Sequence, residues 1–176
     1  KVQAVEGAPI AARLADPGSD IPYLHIFALL TRLKQVCNHP ELVDGGHPSD
    51  PSGKLEVFDQ ILEEALDGDH RVVVFSQYVT MISLLSRTLS RRGIEHLVLT
   101  GETRDRDRVV RRFNSEQHER VMLASLLADG VGIDLTAASV VIHYDRWWNP
   151  ARENQATDRA HRIGRRRFVQ VFKLIT

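Results

Sequence analysis

Residues 71–99 read RVVVFSQYVTMISLLSRTLSRRGIEHLVL. Arg71–Phe75 is a short apolar β-branched run, the pattern of a strand buried on both faces. Val79–Arg91 reads as a helix ended by Gly93, and His96–Leu99 as a second strand. The same alternation continues downstream. A helix is expected at Arg104–Phe113, a strand at Val121–Ala124, then a glycine-bearing loop and a short helix near Leu135. Strands follow at Val140–Tyr144 and from about Val169 to Ile175, with a helix at Gln155–Gly164 between them. Strands and helices alternating through short connections predict an α/β fold, in which a mainly parallel sheet is covered on both faces.

Upstream, residues 1–22 carry Pro17, Gly18 and Pro22 and read as linker. Ile26–Val36 has apolar residues at helical spacing, and Asn38, His39 and Pro40 end it. Residues 44–53 are a loop, and Ser52 is placed to cap a helix from Gly53 to about Leu66. Gly53–Lys54 imitates the end of a phosphate-binding P-loop, but the pattern fails. Pro48 stands where a glycine is required, and Leu55 stands where Ser or Thr is required. Cys37, His39 and His47 are too few and badly spaced for a zinc site.

A chain of 176 residues can bury a sizeable core. No apolar run is long enough to span a bilayer, so no membrane partner is expected. The single cysteine excludes an internal disulfide and suits a reducing compartment. No signal peptide is visible, and the natural N-terminus is expected to lie upstream of Lys1. The formal net charge is zero but unevenly spread. From position 101 onward there are 14 Lys/Arg against 10 Asp/Glu, and before it 9 against 13. The basic excess permits a polyanionic partner without requiring one.

In a parallel sheet the residues just after each strand share the carboxyl edge, where open α/β sheets bind ligands. Here they are Ser76, Gln77 and Tyr78, then Thr100 and Gly101, then Ser125 with Gly130, Gly132 and Asp134, then Asp145–Asn149. Hydroxyls, amides and glycines in such turns suit phosphates, although the same residue types are ordinary turn formers. One tryptophan of the pair Trp147–Trp148 can stack or wedge against nucleic acid, and the other is expected to pack. The stretch QATDRAHRIG at 155–164 sets Gln155, Arg159 and Arg162 on one helical face and Ala156, Ala160 and Ile163 on the next. Paired guanidinium groups are well suited to phosphate oxygens. A solvated helix with Asp158 and Arg162 paired is the alternative.

Taken together these stretches resemble the C-terminal RecA-like domain of the Swi/Snf-type DNA translocases of helicase superfamily two. The resemblance rests on LTRLKQVCNHP (30–40), SGKL (52–55), VVVFSQY (72–78), LTGET (99–103) with Arg108 and Phe113–Asn114, residues 123–138, and WWNP (147–150) followed by QATDRAHRIG. It implies a RecA-like three-layer α/β/α domain at 51–176, preceded at 1–50 by a linker and a family-specific helical segment. It implies that Arg159 and Arg162 act as arginine fingers on a triphosphate, with Gln155 closing the cleft. Ser76, Gln77, Thr100, Gly101, Arg108 and Ser125 would lie near DNA phosphates, and Trp148 in the minor groove.

Four positions depart from the Swi/Snf pattern: Leu127, Asp129, Arg165 and Asp134. The last, with Gly132, is more like the ribose-contacting Asp of DEAD-box helicases. Arg165 also fits that group and makes an alternative finger pair with Arg162.

The resemblance further implies ATP and magnesium, bound mainly by an N-terminal RecA-like domain of the same protein, because this chain has neither a Walker A loop nor an acidic magnesium box. Double-stranded DNA is the implied track. The chain alone is not expected to hydrolyse ATP. The implied location is the cytoplasm, with the nucleoid, in a prokaryote and the nucleus in a eukaryote. A DEAD-box-like RNA helicase lobe and a degenerate binding module are the competing readings.

Overall fold

The structure is a computed structural model and describes residues 23–43, 51–115, 118–125, 133–147, 149–160 and 168–175. The chain divides into two compact units, 1–53 and 54–176. The first holds α1 (Tyr23–Asn38) and a 3-10 turn at Pro40–Leu42. His39 Nδ1 accepts from the Glu41 backbone N–H (3.1 Å) and so caps that turn. The helix expected at Ile26–Val36 is thus a little longer at both ends.

The second unit contains α2 (Gly53–Asp67), β1 (Val72–Ser76), α3 (Val79–Arg91), β2 (His96–Leu99) and α4 (Arg106–Ser115). It continues through β3 (Val121–Ser125), β4 (Val140–His143), α5 (Pro150–Asp158) and β5 (Gln170–Lys173). The five strands are ordered β2-β3-β1-β4-β5 and every pairing is parallel. The central strands bury both faces, and Val72, Val73 and Val74 have no exposure. Each such side chain contributes about 1.5–3 kcal/mol of transfer free energy, so β1 anchors the sheet from the middle.

Alternation along the strands separates two layers. Val73, Phe75, Met122, Ala124 and Val141 pack with Phe113 of α4 and with Ala156 and Ala160 at α5. The intervening residues take the other face, where Phe58 of α2 meets Tyr144 edge-on at 5.6 Å. Arg92, which follows α3, pairs with Asp59 and Glu63 of α2, so these two helices lie side by side. The result is three layers, helix on sheet on helix, as expected. Gly93, at φ +69, accommodates the left-handed turn that ends α3, and Ile94 N–H returns to the Leu89 carbonyl at 2.9 Å.

Three expectations are corrected. No helix forms near Leu135 among the described residues; the chain makes a turn at 136–137. The backbone groups there bond across the fold instead. Asn114 Nδ2 donates to the Asp134 carbonyl (2.8 Å), Asn114 Oδ1 accepts from Ala137 N–H (3.0 Å), and Leu135 N–H donates to the Arg159 carbonyl (3.1 Å). The helix expected at 155–164 instead begins at Pro150, after the Asn149 side chain accepts from Ala151 N–H, and ends at Asp158. Residues 161–164 of the quoted stretch lie outside the described residues. Similarly α4 starts at Arg106 rather than Arg104, because Asp105 caps it by accepting from Arg108 N–H at 3.0 Å.

Asn114→Ala removes both side-chain bonds to the 134–137 turn. It should destabilise the protein by about 2 kcal/mol, read as a lower urea midpoint, with faster hydrogen exchange at the Ala137 amide.

Candidate functional site

The parallel register brings the strand ends together. Ser76 pairs with Ser125, and Leu99, just before Thr100, pairs with Ala124. Ser76, Thr100 and Ser125 therefore sit side by side on the carboxyl edge. Their side chains are not equally presented. Ser76 is fully buried. Its hydroxyl donates to the Asp145 carboxylate and accepts from Tyr78 N–H at 3.1 Å. Gln77 N–H donates to the other Asp145 oxygen at 3.0 Å, and the Gln77 amide donates to the Arg146 carbonyl at 3.2 Å. Asp145 thus clamps the end of β1 to the loop after β4. Burial, aided by the Asp145 charge, pushes the Tyr78 phenol up to about 12, so it stays protonated.

Thr100 starts a tight turn. Its N–H donates to Thr103 Oγ1 (2.9 Å), Thr103 N–H returns to the Thr100 carbonyl (3.2 Å), and Glu102 N–H reaches Thr100 Oγ1 (3.3 Å). Gly101 is exposed at its tip, with nothing within 4 Å of where a Cβ would stand. Arg106 donates to the Gly101 carbonyl at 3.0 Å and pins the turn to the start of α4. Arg108 is exposed on the same helix. Asp134 is half-buried in the loop held by Asn114.

The helix carrying Gln155 is fixed from beneath. Its inward face presents Glu153, Ala156, Thr157 and Ala160, and its opposite face presents Gln155 and Arg159. Glu153 has no exposure and accepts from Arg146 Nε (2.9 Å), from Trp147 N–H (2.7 Å) and, as an ion pair, from Lys173 at 3.2 Å. Burial opposes the Glu153 charge, but the donors of Arg146, Trp147 and Lys173 outweigh it and hold the carboxyl below the usual glutamate range. Thr157 donates to the Glu153 carbonyl (3.1 Å), so its oxygen accepts from His143 Nε2–H at 2.9 Å. His143 stacks on Phe75 at 5.5 Å. Burial pushes its imidazole down to about 4; Glu153 opposes the shift, and Lys173 and Arg146 add to it.

The structure therefore gathers Ser76, Gln77, Thr100, Gly101 and Ser125 on one edge, with Gln155 and Arg159 on the outer face of α5. Trp147 packs against the core, the role expected of one member of the pair. Gly132, Trp148, Arg162 and Arg165 lie outside the described residues. Sequence reading put Asp145 on the carboxyl edge without a role and missed Glu153 and His143; all three set the geometry of the edge and of α5. The available signal was a run of charged and polar residues just after an apolar strand. A cavity of about 780 Å³ lined by Ser90, Ile94, Glu95, His96 and Glu119 opens at the opposite, amino end of β2 and belongs to none of this. No cluster of three or more His, Cys, Asp or Glu able to hold a metal occurs among the described residues. No helix among them is long and apolar enough to cross a membrane.

Residues 53–164 match the helicase conserved C-terminal domain family. The chain is a SWI/SNF-type helicase C-terminal domain. It is 40% identical over 158 residues to the putative ATP-dependent helicase/translocase YwqA of Bacillus subtilis, covering 86% of this chain and 17% of that protein. It is 37% identical over 166 residues to the human SWI/SNF-related matrix-associated actin-dependent regulator of chromatin subfamily A member 1, covering 87% and 16%. The Sulfolobus solfataricus SWI2/SNF2 ATPase core in complex with dsDNA superposes with a TM-score of 0.79 at 35% identity, covering 99% of this chain and 38% of that one. The RecA-like fold of this SWI/SNF domain thus has direct structural counterparts. The chain spans only 14–17% of the length of the curated relatives it matches.

Glu153→Ala strands two cations and a backbone N–H, and should cost about 3 kcal/mol of stability in urea unfolding. His143 adds a pH dependence. Its folded value of about 4 lies below the ordinary 6.5, so the unfolded chain binds its proton first as pH falls. Its stabilising effect is complete above pH 6.5 and is lost as pH falls towards 4; the loss between pH 7.5 and 5 should be about 2 kcal/mol. His143→Asn should flatten that part of the stability–pH curve. Below it, the depressed Glu153 value adds a further loss as pH falls through the carboxylate range.

Proposed function

We propose that this chain is the C-terminal lobe of a DNA-dependent ATPase motor that couples ATP hydrolysis to translocation on double-stranded DNA. The observation that carries the reading is the buried link from the carboxyl-edge turns to α5. Asp145 joins Ser76 and Gln77 to the loop after β4, and Glu153 joins that loop to the helix bearing Gln155 and Arg159. One rigid edge then serves two phosphate-bearing ligands. The relatives support the choice of ligands: one is named a putative ATP-dependent helicase/translocase, and the structure of another is a complex with dsDNA.

In this reading residues 51–176 form the lobe and residues 1–50 a linker with a family-specific helical segment. Arg159 and Arg162 reach the triphosphate held by an N-terminal RecA-like lobe of the same protein and stabilise charge during phosphoryl transfer. Arg162 with Arg165 is the alternative pair. Gln155 closes the cleft, and Gly132 and Asp134 face the nucleotide. Thr100, Gly101, Arg108 and Ser125 meet the tracked strand, with Gln77 beside them. Ser76 acts through Asp145, since its hydroxyl is committed there. Trp148 enters the minor groove. Contacts to phosphates carry no base information, which suits a motor that must pass any sequence.

Magnesium is assigned to the other lobe, because this sequence carries neither a Walker A loop nor an acidic magnesium box. The chain alone would not turn over ATP appreciably. In a bacterial cell the motor would work at the nucleoid, and in a eukaryote in the nucleus.

The test is ATP turnover by the full-length protein with duplex DNA, single-stranded DNA or RNA added, with and without Arg162→Ala. Duplex DNA should stimulate turnover most, and the substitution should lower it on the order of a thousandfold while ATP still binds. Stimulation by RNA alone would replace this reading with an RNA helicase lobe. Turnover indifferent to Arg162 would leave only a binding module.

A further inference from the structure

The arginines of this lobe differ in what they are used for. Arg92, Arg112, Arg120 and Arg146 are paired with Asp59 and Glu63, Glu119, Asp69 and Glu153 respectively. Arg106 is half-buried and donates to the Gly101 carbonyl. Arg104, Arg108 and Arg111 are all exposed, and among the described residues their guanidinium groups have no carboxylate partner. The acidic neighbours do not neutralise them. The Asp105 carboxylate accepts from a backbone N–H as the cap of α4. Asp107, one turn before Arg111, makes no ion pair with it.

Placement adds to the argument. Val109, Val110 and Phe113 turn α4 towards the core. At about 100° per residue, Arg108 and Arg111 then fall on the opposite, outward face. Arg104 stands in the turn that leads into the helix. That end of α4 is tied to the Thr100–Thr103 turn through Arg106, so the stripe begins at the carboxyl edge and runs away from it. From Arg104 to Arg111 a helical rise would be about 10 Å, about three base pairs of duplex.

We infer that Arg104, Arg108 and Arg111 form a backbone-tracking stripe that extends the duplex contact from the carboxyl edge along the outer face of α4. The stripe rests on the reading of the lobe as a DNA motor, and it enlarges the footprint from Arg108 alone to three guanidinium groups. Their partners are successive phosphates, so the contact is independent of sequence. Holding three unpaired cations at one surface costs the folded lobe some self-repulsion, which a polyanion relieves by releasing counterions.

The test is fluorescence anisotropy of a labelled mixed-sequence duplex with the full-length protein, without nucleotide, at several salt concentrations. Each lost phosphate contact lowers the slope of log affinity against log salt by about 0.9. Arg104→Gln with Arg111→Gln should therefore lower the slope by about 1.8 and weaken binding more than tenfold near 0.1 M salt. A control, Arg87→Gln with Arg91→Gln, changes α3 on the other side of the sheet and should leave the slope unchanged. An unchanged slope in the stripe variant overturns the stripe while leaving the motor reading intact. An equal fall in the control also overturns it, since any lost charge would then suffice. An unmodified protein without duplex affinity overturns both.

Discussion

Glu153 keeps a negative charge inside the protein, and the position of α5 follows from the donors that make this tolerable. Removing a carboxylate from water costs several kcal/mol unless charged or polar donors surround it. Here the donors come from separate pieces of chain: Arg146 and Trp147 from the loop after β4, and Lys173 from β5. All must be in place together, so the carboxylate fixes the angle of the loop, the depth of the helix and the edge of the sheet at once. Asp145 does the same one step away, tying the end of β1 to that loop. Neither group needs to touch a ligand. Both determine where the groups that do will stand.

The sheet could be read from the sequence because its physics is local. Runs such as RVVVF offer a strand no polar face, and a strand buried on both sides needs helices on both sides. The carboxyl edge could be read for the same reason, since parallel strands put all their trailing residues together. What failed to be legible is set by contacts between distant segments. The turn after Leu135 carries a helix-like pattern, yet Asn114 from the end of α4 takes the backbone groups that a helix would have used. The direction of the Ser76 hydroxyl was equally hidden. A serine after a strand reads as a ligand contact until Asp145, 69 residues away in sequence, is seen to accept its proton. The start of α5 was displaced because the Asn149 cap and Pro150 begin the helix one turn before the pattern QATDRAHRIG does. The resemblance to the Swi/Snf translocases located the edge residues, but it was silent on which of them are turned inward.

The charge distribution completes the picture. A chain with zero formal net charge looks unsuited to a polyanion. Net charge matters less than which charges are neutralised locally, because a salt bridge removes both members from the long-range field. Arg92, Arg112, Arg120 and Arg146 are used in this way, each against a carboxylate of a neighbouring segment. Arg104, Arg108 and Arg111 by contrast stay exposed on α4 and the turn before it, on the side that continues the carboxyl edge. A motor that moves along a duplex needs contacts strong enough to hold a phosphate and weak enough to release it. Exposed arginines, screened by salt and free of competing carboxylates, satisfy both demands. The Arg146–Glu153 pair is anchored on a fully buried carboxylate that two other groups also bond, which suits it to the frame and not the track.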